Sequence, residues 1–438
     1  MEQHRRNLRG AFSSVQRHRC QGSLAQIGDR GCAMGDDAMV PAIVVGREQT
    51  CLGTLRSLRL AGIPAYVACP PADPTCRSRW FRPVPGDTHW DGSVGPETLD
   101  TLAAMPLPRA VLIPARDDAL GWAADLANGP LADRFPVCSS PRAVVEILLD
   151  KSRFREFLAG TDIPHPRTFT IRSAADIAAI PFEELDRIFI KPADSQKFLR
   201  IMGVKGMWVR NREKFESIWR RLADQDLSVI AQEYIPGSSD QHYFIDGFRD
   251  RGGNLTGLFA RRRLRINPPD FGNSSYCVSI PLNDIEPAVR GLTELLTRLR
   301  YRGIFSAEFK RDARDGVFRI LEVNSRPWWY VEFATRCGVN VVEMAYRDAL
   351  GMPVTHAGDY VTGAGCINFR NDLETVLRSG ATRTPLSLAL RQWSRGHFSV
   401  FRWDDPLPGL QIAWRGASRA LRKRLVRVFD RREGRGAE

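Results

Sequence analysis

The stretch from Phe305 to Trp329, FSAEFKRDARDGVFRILEVNSRPWW, constrains the fold more than any other part of the chain. Ile304 to Arg311 alternates apolar with polar residues, Asp312 to Gly316 supplies turn formers, and Val317 to Asn324 alternates again, which predicts a β-hairpin. Glu308 falls on the first strand and Glu322 on the second. Asn324 comes two positions after Glu322, so both project from one face of the pleat. Phe305, Ala307, Phe309, Ile320, Leu321 and Val323 surround them, a poor setting for two ionised carboxylates unless something positive sits between. Magnesium is the natural candidate, a hard cation that takes carboxylate and amide oxygens and bridges them to phosphates. Arg326 adds a fork of donors suited to phosphate. A surface hairpin whose acids pair with Lys310, Arg311 or Arg319 fits the same pattern.

At 438 residues with 43% hydrophobic content, the chain has room for two or three domains and a sizeable core. No run is long and apolar enough to cross a bilayer. The formal charge of +13 would ordinarily suggest nucleic acid or an acidic surface, but the excess is concentrated at Met1 to Arg30 and Arg415 to Arg435. Only seven of the 63 basic residues are lysines, so each lysine is informative. Nine cysteines without a CxxC pair or Cys/His ligand spacing point away from a zinc site or a disulfide framework, and a reducing cytosol fits best. The sequons at Asn254 and Asn273 carry no weight without a secretory signal.

Residues 1–39 are polar and aperiodic, which predicts a disordered segment or sequence upstream of a start at Met34 or Met39. Val40 to Gly46, a helical pattern over Cys51 to Ala61, Ile63 to Ala68, Ala110 to Pro114 and a helix over Asp117 to Leu126 predict a small parallel α/β domain at 40–140, without a GxGxxG fingerprint. Pro141 to Leu158 reads as one amphipathic helix with Ser140 as N-cap and Lys151 within it. A short helix at Ser173 to Ile180 precedes the strand Ile188 to Pro192, which carries Lys191 at its end, where a buried stem can present an ammonium to phosphate. VIAQEYIP, Val229 to Pro236, is a strand running into a turn that holds Asp240, and Gln241 to Phe248 is a further strand. Leu258 to Ile266 places Arg261, Arg263 and Arg265 on one face, either solvated or anion-binding. Pro287 to Leu299 returns to helical spacing, and the tail ends in IAWRGASRALRKRLVRVF, Ile412 to Phe429, a basic amphipathic pattern.

The order Asp150-Lys151, Ile190-Lys191-Pro192, Gln232-Glu233-Tyr234-Ile235-Pro236-Gly237, Glu308 and Glu322-Val323-Asn324-Ser325-Arg326-Pro327 resembles the ATP-grasp superfamily over roughly residues 40 to 350. Within it the likeness is greatest to the carboxylate–amine ligase branch that includes D-aspartate ligases and carbamoyl-phosphate-synthase-like proteins. The resemblance implies an α/β and α+β architecture: a pre-ATP-grasp domain at 40–140, a small lobe with its linker helix at 141–236, a large lobe at 237–350 and a C-terminal extension at 351–438. It further implies that Lys151 and Lys191 contact the nucleotide, that Gln232, Glu233, Tyr234 and Ile235 form the adenine-reading hinge, with Asp240 at the ribose, and that Glu308, Glu322 and Asn324 hold magnesium. The segment Ala193 to Gly206 departs from the glycine-rich phosphate loop of many members, and Lys205 or Lys197 is expected to supply charge where others use backbone amides.

These features predict an ADP-forming ligase that converts a carboxylate to an acyl-phosphate and couples it to an amine, using ATP with two magnesium ions or manganese in their place. Arg326, Arg263 and Arg265 are the expected catalytic cations, the latter two on the substrate carboxylate. The absence of GxSxG, of a P-loop and of an obvious Cys/His pair agrees with a reaction needing no side-chain nucleophile. The expected partners are small-molecule substrates and no specific nucleic acid, with a homodimer left open. The expected location is the cytoplasm, with contact to the inner membrane face or an acidic polymer through 412–429. The competing reading is a degenerate member that only binds nucleotide, a membrane or a polyanion.

Overall fold

This computed structural model describes residues 39–86, 89–192, 201–202, 206–223, 229–269, 272–378, 384–416 and 418. The readings that fall on 1–38, on Lys197 and Lys205, and on most of the C-terminal helix lie outside the described residues. So do the side chains of Lys191 and Pro192.

Three short apolar strands, β1 (Ala42–Val45), β2 (Ala65–Ala68) and β3 (Val111–Pro114), form a parallel sheet in the order β2-β1-β3. Near-continuous burial of β1 and β2 is what a parallel sheet covered on both sides demands. The helix Glu48–Leu60 covers one side, and its Arg56, fully buried, is held by Asp405, Glu332 and the Val400 carbonyl. The chain after residue 350 is therefore tied back onto the first domain.

A four-stranded sheet in the order β4-β7-β5-β6 follows, from β4 (Thr168–Ile171), β5 (Ile188–Pro192), β6 (Met207–Val209) and β7 (Val229–Glu233). Ahead of it the single helix expected over 141–158 is two helices, Arg142–Leu149 and Lys151–Ala159. The break is at Asp150, which leaves helical geometry and accepts hydrogen bonds from the Ser152 and Arg153 N–H groups. An aspartate competing for those donors makes a better cap than an interior residue. Ser140 is not the first helix's cap; its hydroxyl bonds the Arg302 backbone instead.

The third sheet has the order β12-β11-β8-β9-β10-β13-β14. Its strands are β8 (His242–Arg249), β9 (Leu255–Asn267), β10 (Asn273–Ile280), β11 (Gly303–Arg311), β12 (Phe318–Asn324), β13 (Gly365–Ile367) and β14 (His397–Phe398). The segment expected as an extension thus contributes two strands. One face of this sheet packs Ile245, Phe305, Ala307, Phe309, Ile320 and Val323 against Leu292, Leu295 and Leu296 of the helix Glu286–Arg298. Burying each such side chain contributes about 2 kcal/mol. The polar residues alternating with them are left on the opposite face, where the site is built.

Candidate active site

The hairpin forms as the alternation requires. β11 and β12 are antiparallel, with Glu308 opposite Glu322 and Ser306 opposite Asn324, and a bulge after Glu308 takes up Leu321. Like charges directly opposite one another destabilise a ladder, so this pair has a reason other than stability. Glu308 Oε1 accepts from His242 Nδ1 at 2.9 Å, from the neighbouring strand β8, and from Arg263 Nη2 at 3.3 Å, from β9. Glu322 has no ion pair among the described residues, and its Oε1 accepts from the Asn324 amide at 3.3 Å. Of the cations that could pair with these acids, Arg319 goes to Asp312 and Asp315.

Burial holds the His242 imidazole below its usual range despite the Glu308 carboxylate that favours its charge, so Nδ1–H donates from a neutral ring. Burial likewise lowers the Arg263 guanidinium from its usual value, with Glu308 opposing. Deeper on the same face Arg261 and Asp246 form a buried pair at 2.7 Å, and Ser306 Oγ donates to Asp246 at 2.6 Å. The arginine row of β9 is therefore turned inward: Arg261, Arg263 and Arg265 are 3%, 5% and 7% exposed, and the solvated reading fails. Each needs its own carboxylate because an unpaired buried charge is expensive.

Arg265 is where the expectation of a substrate-binding pair has to be corrected. Its guanidinium is clamped by Asp372 at 2.8 and 2.6 Å and by Gln392 Oε1 at 2.6 Å, and Ser275 and Trp393 complete the Asp372 shell. It holds the helix Phe369–Leu377 to the sheet, with each of its three nitrogens engaged by a partner. Arg263 keeps its place beside Glu308.

A cleft of about 590 Å³ brings together Lys151, Gln232, Glu322, Asn324, Ser325 and Arg326. Asp150's cap sets Lys151 at the first turn of its helix, facing β12 across the cleft. Arg326 is held by Asp117 of the first domain through two bonds at 2.6 and 2.9 Å. The Ser325 hydroxyl is buried in the cleft wall without a hydrogen-bond partner among the described residues, and such an orphan is expensive unless a ligand completes it. Glu308 lies one strand behind this wall. Among the described residues no cluster of three or more His, Cys, Asp or Glu forms a metal cage. Two carboxylates and an amide oxygen fit instead a cation that brings further oxygen ligands of its own, as magnesium on a nucleotide does.

The hinge residues run off β7. The Glu233 N–H is taken by the Arg167 carbonyl at 2.8 Å and the Tyr234 N–H by the Arg187 carbonyl at 3.0 Å, so Glu233 can offer a ligand its carbonyl but not its N–H. The Glu233 side chain is held by Arg314 at 2.6 Å. Ile235 is buried, and Gly237, at φ 132°, makes the turn that brings the chain back under Arg311. Asp240 pairs with Arg262 at 2.7 Å, and Tyr234 lies under the Lys310 ammonium at 4.6 Å. Lys191 sits on β5 opposite Ile230.

Sequence reasoning missed His242, Asp246, Asp117 and Asp372. His242, Phe244 and Asp246 alternate on one strand, but only the pairing of β8 with β11, more than fifty residues on, puts them beside Glu308.

No protein-family model matches the chain. A D-aspartate ligase of Enterococcus faecium is 25% identical over 214 residues, 47% of this chain and 51% of the relative; the chain thus matches about half the length of that relative. Among solved structures, an L-amino acid ligase from Bacillus licheniformis superposes with a TM-score of 0.51 at 15% identity, over 72% of this chain and 74% of its own. An N5-carboxyaminoimidazole synthetase from Staphylococcus aureus does so with a TM-score of 0.55 at 12% identity, over 75% and 82%. A biotin carboxylase domain dimer from Hydrogenobacter thermophilus, in complex with MgADP and bicarbonate, gives 0.55 at 14%, over 74% and 72%. With the three sheets and the facing acids in place, these likenesses show that the chain has the ATP-grasp fold that these ligases and synthetases share.

Proposed function

We propose that the protein is an ATP-dependent, ADP-forming ligase that phosphorylates a carboxylate and couples the acyl-phosphate to an amine. The observation that carries this reading is the in-register Glu308–Glu322 pair, from which Asn324, Ser325 and Arg326 lead into the cleft lined by Lys151 and Gln232. The D-aspartate ligase and the L-amino acid ligase among its likenesses favour an amino acid as one substrate.

A carboxylate resists attack because its charge repels a nucleophile. When a carboxylate oxygen takes the γ-phosphoryl group and the bond to ADP breaks, the acyl carbon gains phosphate as a leaving group; the amine then adds, phosphate departs and the amine proton passes to solvent. Magnesium, held by Glu308, Glu322 and Asn324, would supply charge neutralisation at the phosphate oxygens, with two ions the proposed number and manganese an alternative. His242 and Arg263 fix the orientation of the Glu308 carboxylate, one strand behind the cleft wall. Lys151, which lines the cleft, holds the phosphates by charge, and Lys191 and Lys205 are the further lysines proposed for the same role. Gln232, the Glu233 carbonyl, Tyr234 and Ile235 receive the adenine, and Asp240 receives the ribose. Arg326, steadied by Asp117, and Arg263 orient the substrate carboxylate.

The test is ADP release from magnesium-ATP with a panel of amino acids as acid and amine, alongside Glu322→Ala. Release that depends on both substrates and is lost in the variant is expected. Unchanged turnover in Glu322→Ala would remove the metal assignment, and thermal stabilisation by nucleotide without turnover on any pair would leave the binding-only reading.

No helix among the described residues is long and apolar enough to cross a membrane. We retain as a proposal that 412–429 rests on an anionic membrane, supported by the exposed Leu407, Leu410 and Trp414 at helical spacing and by the 89% exposed Trp403. Loss of co-sedimentation with phosphatidylserine vesicles on removing 412–438 tests it. A homodimer is likewise a proposal, tested by sedimentation.

A further inference from the structure

A second cavity, of about 450 Å³, lies at the end of β8 and β11 away from the hinge. Four arginines line it: Arg249 and Arg251 from the turn joining β8 to β9, and Arg300 and Arg302 from the segment entering β11. Asp250 also lines it, and Asp348 behind it bonds Arg251 and Arg302, so four guanidiniums face two carboxylates. Arg249 donates to the Tyr301 carbonyl at 2.6 Å. The Arg300 side chain is exposed and has no hydrogen bond or ion pair among the described residues.

Arg300 also sits where its backbone disfavours it. The helix Glu286–Arg298 closes with the Arg300 N–H on the Thr297 carbonyl at 3.0 Å and the Tyr301 N–H on the Leu296 carbonyl at 2.9 Å. This closure puts Arg300 in the left-handed region, at φ 48°. Glycine is the residue such a closure favours, because a Cβ crowds the backbone there. An arginine kept at this position gives up stability and gains a charge over the cavity. The strain and the lining thus point to the same side chain.

We propose that this cavity binds a small molecule bearing a diphosphate, apart from the nucleotide cleft. Planar guanidiniums from two loops match the oxygens of adjacent phosphates, and the excess of positive charge favours a multiply charged anion. Asn128, which spends one amide N–H on the Ala124 carbonyl, has the other for the rest of the ligand, and the Ser139 hydroxyl, which donates to the Ser140 carbonyl, can accept. The site communicates with the cleft through one strut. Ser140 Oγ exchanges hydrogen bonds with the Arg302 backbone, and the chain continues directly into the helix Arg142–Leu149, whose Leu148 and Leu149 line the cleft next to Lys151. This inference does not depend on the ligase reading.

Inorganic pyrophosphate titrated into the full chain by calorimetry tests it, with Arg300→Gly, the double variant Arg251→Ala/Arg300→Gly, and Lys151→Ala in the cleft. Arg300→Gly is expected to weaken pyrophosphate binding about tenfold, as loss of one charge-assisted contact would. Its melting temperature without ligand should be equal to or above that of the wild type, because glycine relaxes the helix end. The double variant is expected to lose binding altogether, and Lys151→Ala to keep it. The proposal is overturned by no pyrophosphate binding to the wild type, by wild-type affinity in both arginine variants, or by loss of binding in Lys151→Ala alone.

Discussion

Two buried guanidinium–carboxylate centres stand two residues apart on β9, and they are built differently. At Arg265 the aspartate partner is fully buried, a serine and a tryptophan donate to that aspartate, and a glutamine accepts from the arginine. At Arg263 the glutamate partner is 20% exposed and faces across the hairpin a second glutamate, Glu322, which lines the cleft. A closed shell does architectural work, because every polar group there is already satisfied. On the proposed function, an incomplete shell with surplus negative charge is where a cation-bearing ligand would be received. Neighbouring residues of one type on one strand thus carry opposite roles, and the partner on the adjoining element decides which.

The sharpest way to break this contrast is Glu322→Ala. It should cut ADP release on the order of 10²–10³-fold, yet leave the melting temperature unchanged or raised, since a like-charge opposition is removed. Next is Asp372→Asn, which strands Arg265 in the core: urea unfolding should show a loss of about 3 kcal/mol, with turnover of the surviving folded protein within about twofold of wild type. If turnover fell as far as in Glu322→Ala, the two centres would not be separable. Glu308→Gln is expected to be milder. The half-saturating magnesium concentration should rise roughly tenfold, while His242 and Arg263 keep a hydrogen-bonding partner.

The smallest effect concerns Asp312, which supports the hinge through Arg314 and its bridge to Glu233. Burial opposes the Asp312 charge, but the Arg314 side chain and backbone N–H, together with Arg319, hold its carboxyl below the usual range. A folded-state value below the unfolded one adds stability above the unfolded value, and that contribution is lost as pH falls through the folded one. Melting temperature should therefore decline below about pH 4, and Asp312→Asn should flatten that limb at a cost of about 1 kcal/mol at neutral pH.

The hairpin and its acids were legible in the sequence because alternation and turn chemistry are local. The first domain's strands and the helix ahead of β11 were readable for the same reason. Asp150 was misread because amphipathic spacing continues across it, while the break depends on a side chain outcompeting the helix for two N–H groups. Arg265 was misread because its spacing matches Arg263, and its owner, Asp372, lies more than a hundred residues downstream. The inward turn of the arginine row was invisible for a related reason: charged residues are assumed to face water, and only the pairing of strands reveals that each has a buried carboxylate waiting.

The return of the chain after residue 350 has a practical consequence. β13 lies along β10, and β14 extends that row. A protein cut to the segment with the recognisable motifs would uncover the middle of β10, Ser275 to Ser279, leaving its N–H and C=O groups on that side unpaired. Such a rim recruits other chains. A shortened version designed for crystallisation should therefore precipitate or form oligomers, and should be ended after Asp405 so that the anchor of Arg56 is kept as well.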